Sequence, residues 1–176
     1  MIPFSFQMRL LWATISFLII MHTSGCAQSD SSAFDVMVEG LLDHSVPEFT
    51  VEAFKNADQA SFLILDAREP REFEVSHLPN ARCVGYDELD LSAVEHLDKT
   101  QPILVYCSVG YRSEKVAEKL KAAGFQAVYN LYGGIFDWTN QGLKVVDSSG
   151  QMTERVHGFS PAWGIWVQHG EVVYDP

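Results

Sequence analysis

Cys107 closes an apolar run, Ile103-Leu104-Val105-Tyr106, and opens a short loop, Ser108-Val109-Gly110-Tyr111-Arg112. The stretch after the loop, Ser113 to Ala123, has helical character. A thiol at the end of a strand, in a loop that feeds a helix, lies where loop amides and the positive end of the helix dipole meet. That setting favours the thiolate and makes Cys107 a candidate nucleophile. The planar fork of Arg112 suits the oxyanionic end of a small substrate. The amides from Ser108 to Ser113, Val109 and Gly110 included, can ring an anion, and the hydroxyls of Ser108, Tyr111 and Ser113 can assist. The chemistry these residue types support is covalent catalysis through sulfur on a small anionic substrate.

The elements that must hold this loop alternate. Strands are expected at Val46–Phe49, Phe62–Leu65, Ala81–Val84, Ile103–Tyr106 and Ala127–Tyr129. Helices are expected after Thr50, an N-cap for Val51 to Asn56, and at Pro70–Val75, Leu91–Leu97, Ser113–Ala123 and Gly133–Trp138. Phe34, Met37 and Leu41 fall at helical spacing and imply a short amphipathic helix ahead of the first strand. The continuous apolar run at 62–65 reads as a buried parallel strand. Such alternation implies an α/β fold, a mostly parallel five-stranded sheet with helices on both faces. Sites in such sheets form beyond the carboxyl ends of the strands, where Cys107 stands.

Three further segments share a pattern with the loop. Leu65-Asp66-Ala67-Arg68-Glu69-Pro70-Arg71-Glu72-Phe73 runs into Ser76-His77-Leu78-Pro79-Asn80-Ala81, and Leu131-Tyr132-Gly133-Gly134-Ile135-Phe136-Asp137-Trp138 follows the loop. With Cys107 between them, in this order, they resemble the flanking signatures and active-site loop of a single rhodanese domain over roughly Val46 to Val145. The family usually has glycine before the histidine and after the proline, where this chain has Ser76 and Asn80. The resemblance implies a rhodanese-like fold and sulfur transfer without a cofactor. Cys107 would attack the outer sulfur of thiosulfate or a persulfide, carry it as a persulfide, and pass it to cyanide, a thiol or a protein acceptor. It also implies a structural pairing of Arg68 with Glu72. Asp66 is a candidate for the border of the site, and His77 reads as a turn residue bonded to backbone.

Loop length separates this reading from its nearest rival. Four residues stand between Cys107 and Arg112. Cysteine phosphatases have one residue more, and Ser113 stands where their arginine would be. The loop also lacks the glycine-rich sequence of mercaptopyruvate enzymes, so thiosulfate or a persulfide is the expected donor. The alternative to an enzyme is a non-catalytic rhodanese-like module that holds persulfide or docks a partner.

The N-terminus carries an export signature. Arg9 precedes the apolar run Leu10–Met21, and Thr23-Ser24-Gly25 leads into Cys26. The run is short for a membrane span and fits a signal peptide, residues 1–25. Ser24-Gly25-Cys26 resembles a lipobox, so Cys26 is the expected lipidation site and membrane anchor. Thr23 and Gly25 also suit an ordinary signal-peptidase site, which would give a soluble periplasmic or secreted protein. With Ala27 after the cysteine, a Gram-negative host would place the lipoprotein at the outer membrane, facing the periplasm. Cleavage there removes Arg9, one of the 12 Lys and Arg, and none of the 23 Asp and Glu, for a mature net charge of −12.

An acidic chain, −11 over its full length, excludes nucleic acid as a natural partner and gives an anionic substrate no long-range steering. Three cysteines are too few for a disulfide framework; an oxidising compartment would permit a disulfide between Cys83 and Cys107, but it would block the nucleophile, so both are expected to be free thiols. The lone histidines of the tail, His157 and His169, do not form a metal cluster. Segments 26–45, 46–147 and 148–176 therefore read as lipidated tether with short helix, rhodanese-like domain and C-terminal extension. Trp163 and Trp166 lie in that extension. It is expected to form a hairpin, turning at His169-Gly170, or a lid that packs on the domain; the other reading is a partner-docking surface.

Overall fold

The computed structural model describes residues 32–175. The apolar run at 10–21 and Cys26 lie outside the described residues. Helix α1 (Ala33–Leu41) starts from a capping box in which the Ser32 hydroxyl and the Asp35 carboxylate each receive the other residue's amide, and it buries Phe34 and Val38. Strand β1 (Glu48–Phe49) leads through the Thr50 cap into α2 (Val51–Lys55), then β2 (Leu63–Asp66) and α3 (Pro70–Val75). After β3 (Arg82–Cys83) come β4 (Ile103–Tyr106), α4 (Tyr111–Ala122), β5 (Val128–Leu131) and α5 (Gly134–Asn140).

The five strands make one sheet in the order β1-β5-β4-β2-β3, and every pairing is parallel. Strand β4 is central and wholly buried. Its side chains alternate between two cores. Leu104 and Tyr106 pack with Phe34, Val51, Phe54 and Ile135 from α1, α2 and α5. Ile103, Val105 and Cys107 pack with Val116, Ala117 and Leu120 from α4. A continuous apolar run suits such a strand because both of its faces lose water. Pro70 opens α3 at the first helical position, where its missing amide costs nothing. Asn80, in the place of a family glycine, has φ 65, a left-handed conformation that asparagine tolerates.

Two sequence expectations are corrected. Residues 91–97 form only a single 3-10 turn, Ser92–Val94. Asp90 accepts the Ser92 amide to start it, but among the described side chains of 91–97 only Val94 is fully buried, too little apolar contact to extend a helix. The tail does not form the expected hairpin at His169-Gly170. Strand β6 (Val145–Val146) pairs antiparallel with β7 (Met152–Thr153), and β8 (Arg155–His157) pairs parallel with β9 (Glu171–Val173). A parallel pair needs a crossover, which α6 (Pro161–Gly164) and the residues after it supply. The extension packs on the domain. Trp166 lies 6.0 Å from Phe34, Asn140 donates to the Trp166 carbonyl, and Val156 enters the core beside α1 and α5. Among the described residues no helix is long and apolar enough to cross a membrane.

Candidate active site

Cys107 sits at the carboxyl end of the central strand with 1% of its surface exposed. Its Sγ accepts the Gly110 amide at 3.2 Å. The loop between them turns back because Gly110 has φ 116, and a Cβ there would crowd Leu42 at 3.3 Å. Helix α4 starts at the next residue, so its positive end faces the sulfur. The loop is braced from below by α5, whose Ile135 and Phe136 amides donate to the Cys107 and Ser108 carbonyls at 2.9 and 3.1 Å. That approach requires Gly134: a Cβ there would lie 2.4 Å from the Cys107 carbonyl oxygen. The Gly133-Gly134 doublet thus seats the active loop as well as opening a helix.

Of the residues expected to bind substrate, Cys107, Ser108, Val109, Tyr111 and Arg112 line one pocket of about 520 Å³. Gly110 and Ser113 stand behind it. Ser113 is fully buried, with its hydroxyl 2.7 Å from Asn130 Oδ1 and 3.0 Å from the Gly110 carbonyl. Its hydroxyl fixes the start of α4 and is not free to assist a substrate.

The charged residues pair differently from expectation. Arg112 donates from both terminal nitrogens to Glu72, at 2.7 and 2.8 Å, and reaches the Ser108 hydroxyl at 3.0 Å. It therefore clamps the loop to α3 and is not a free fork for the donor. Arg68 does not pair with Glu72. It donates to Asp66, with its shortest contact at 2.6 Å, and to the Ser76 carbonyl. The reason is direction. Asp66 ends β2 two residues before Arg68 and turns inward with it, whereas Glu72, on the first turn of α3, faces the loop. Asp66 is wholly buried in this pair and does not border the pocket. Arg68 and Glu72 are both buried inside the fold, with these exchanged partners.

Burial alone would raise the Glu72 carboxyl, but the Arg112 fork, with help from Arg68 and the Glu69 amide, outweighs it and holds the group below the usual carboxylate range. Burial likewise opposes the charge on Arg112, and Glu72 overrides it. Cys83 is a free thiol, half-buried, and burial pushes it up. Cys107 is the thiol that lines the pocket at the start of α4. His77 lies with Nδ1 3.0 Å from the Phe73 carbonyl and stacks on the Phe73 ring, away from the sulfur pocket. Among the described residues no group of three or more His, Cys, Asp or Glu is arranged to hold a metal ion.

Part of the pocket wall comes from outside the strand-helix domain. Leu41 of α1 and Phe159 and Trp163 of the tail line it, together with Arg71 and Tyr86. The sequence signals the tail aromatics, but not their position over a loop some fifty residues earlier. Phe159 lies over the Arg112 guanidinium, 5.0 Å from its carbon to the ring centre. His157, fully buried, accepts the Phe159 amide at Nδ1 and donates from Nε2 to the Tyr174 carbonyl. Burial lowers its affinity for a second proton, so it acts as a neutral strut.

Residues 50–141 match the Rhodanese-like domain family. The chain is 37% identical over 99 residues to the putative sulfur carrier protein YrkF of Bacillus subtilis, covering 55% of this chain and 53% of that one. It is 35% identical over 88 residues to the thiosulfate sulfurtransferase GlpE of Coxiella burnetii, covering 50% of this chain and 81% of that one. Among solved structures, the thiosulfate sulfurtransferase of Pseudomonas aeruginosa superposes with a TM-score of 0.54 at 28% identity, over 67% of this chain and 22% of that one. The chain thus spans about half the length of YrkF and most of GlpE. Its cysteine loop, parallel sheet and flanking motifs place it in the rhodanese-like domain family.

Proposed function

We propose that the protein is a sulfurtransferase in which Cys107 carries sulfane sulfur between a small anionic donor and a thiol, cyanide or protein acceptor. The observation that carries this reading is the Gly110 amide 3.2 Å from the Sγ of Cys107, a residue that lines the pocket at the start of α4. A donor amide aimed at a developing or resident anion stabilises it; one such donor in an oxyanion hole is worth about 3–4 kcal/mol. The thiolate attacks the outer sulfur of thiosulfate. The Sγ–S bond forms, the S–S bond of the donor breaks, and its electron pair leaves on sulfite. An acceptor thiolate or cyanide then takes the outer sulfur and returns the Cys107 thiolate, with no oxidant or cofactor needed.

The names of YrkF and GlpE support sulfur handling by this fold. Intact mass of the full chain before and after thiosulfate tests the step. A gain of one sulfur atom, removed by cyanide and missing in Cys107→Ser, is expected. No gain from thiosulfate or from any persulfide donor, with Cys107 shown to be reduced, overturns it. A loaded protein that never turns over with an acceptor is instead a persulfide-holding module. In the same reading, the N-terminal run exports the chain and Cys26 anchors it, so the transfer takes place on the outer side of the cytoplasmic membrane.

A further inference from the structure

The pocket over Cys107 is larger and less polar than an inorganic dianion requires. Its volume of about 520 Å³ falls within the roughly 300–1,000 Å³ that suits organic ligands. Leu41, Tyr86, Val109, Tyr111, Phe159 and Trp163 make half of the wall. The cations in the lining are Arg112, already bonded to Glu72, and Arg71, and they stand beside Glu69 and Asp87. No surplus of positive charge is built for a doubly charged donor in a chain of net charge −11.

Three wall residues, Leu41, Phe159 and Trp163, lie outside residues 50–141 that match the family. Phe159 is held there under strain. Its φ is 63, unfavourable for a bulky side chain, yet the residue lines the pocket, stays 42% exposed and has its amide tied to His157. A strained backbone that presents a large apolar side chain to a reactive pocket is retained where the presentation serves a purpose. The hydrogen bonds from Ser160 to Gly158 and from Trp163 to Ser160 fix the segment as a wall.

We propose that this C-terminal wall selects monoanionic sulfane donors with an apolar organic body, aryl or alkyl persulfides and thiosulfonates, over thiosulfate. The proposal rests on the sulfurtransferase reading. The organic group lies against Phe159 and Trp163, and the terminal sulfur enters the Cys107 loop. For an aryl thiosulfonate, the Cys107 thiolate forms the Sγ–S bond, the donor's S–S bond breaks, and the pair leaves on the aryl sulfinate. Two negative charges enter and two remain, so no further reactant is needed.

The test compares thiosulfate, methanethiosulfonate and benzenethiosulfonate as donors to the full chain, with cyanide as acceptor and thiocyanate as product. The expected order of kcat/KM is benzene above methane above thiosulfate, with about tenfold or more between the ends, the scale on which an apolar pocket discriminates. Phe159→Ala and Trp163→Ala should each shrink the ratio of benzenethiosulfonate to thiosulfate several-fold, and Phe159→Leu should restore most of it. A ratio is insensitive to the fraction of folded enzyme. A wild-type ratio near unity, or a ratio unmoved by both alanine variants, overturns the proposal and leaves the sulfurtransferase reading intact. If no donor loads sulfur on Cys107, that reading falls and this one with it.

Discussion

Replacing Glu72 by Gln removes the charge that clamps the Cys107 loop to α3. The carboxylate is wholly buried and accepts both terminal nitrogens of Arg112, at 2.7 and 2.8 Å, and the Glu69 amide at 3.0 Å. Removing one partner of a buried pair typically costs about 3–5 kcal/mol, because the other charge is left uncompensated. Here Arg112 keeps 13% of its side chain in solvent and its contact to the Ser108 hydroxyl, and glutamine retains one acceptor oxygen. The expected loss for Glu72→Gln is therefore about 2–3 kcal/mol at neutral pH. In urea, with a slope of about 1–3 kcal/mol/M, the midpoint should fall by about 1 M at an unchanged slope.

The pH dependence of that loss gives a sharper test. The Glu72 carboxyl is held below its ordinary value of 4.5 in the native state. Its contribution is therefore fully present above that value and is lost as the pH falls through the lowered native one. The gap between wild type and Glu72→Gln should be constant from pH 8 to about 6 and close in acid, where a protonated glutamic acid resembles glutamine. A gap under about 1 kcal/mol at pH 7, or one that stays constant into acid, would refute the clamp as the source of stability.

The remaining expectations concern the loop, its support and the anchor. Cys107→Ser should abolish sulfur loading while leaving the urea midpoint nearly unchanged, since it alters one small buried atom. Gly134→Ala should cost about 2–4 kcal/mol, from the positive φ and from overpacking. Because its methyl meets the Cys107 carbonyl, transfer activity should fall even at temperatures where the variant stays folded, as read by thiocyanate formation beside circular dichroism. Cys26→Ser should move the protein from the membrane fraction to the soluble fraction of its host; equal membrane retention of both forms would count against a lipid anchor.

The chain's own residues set out most of the sheet. The apolar run at 103–106 can only be buried on both faces, and the β2 run is nearly as apolar, so a parallel α/β sheet with Cys107 at a strand end follows from hydrophobic patterning. The Thr50 cap and Pro70 likewise act within a few residues of themselves. The short apolar spacing at 91–97 misleads because tertiary contact covers only part of it. Partners far apart in sequence are a different matter. Glu72 meets Arg112 across 40 residues, and Arg68 has acids available at both Asp66 and Glu72. The sequence shows Arg68, Arg112, Asp66 and Glu72, but which joins which depends on the direction each side chain takes from its element.

The tail carries the same lesson for the pocket. Its aromatic residues are visible in the sequence, yet β8 and β9 pair in parallel through a crossover, and that topology places Phe159 over Arg112. The sequence by itself determined the place of Cys107 at a strand end, the loop after it and the sheet that presents them, because those follow from local spacing and burial. Only the tertiary structure decided which charges clamp the loop and which aromatics wall its pocket, because such contacts depend on the angles at which separate elements meet.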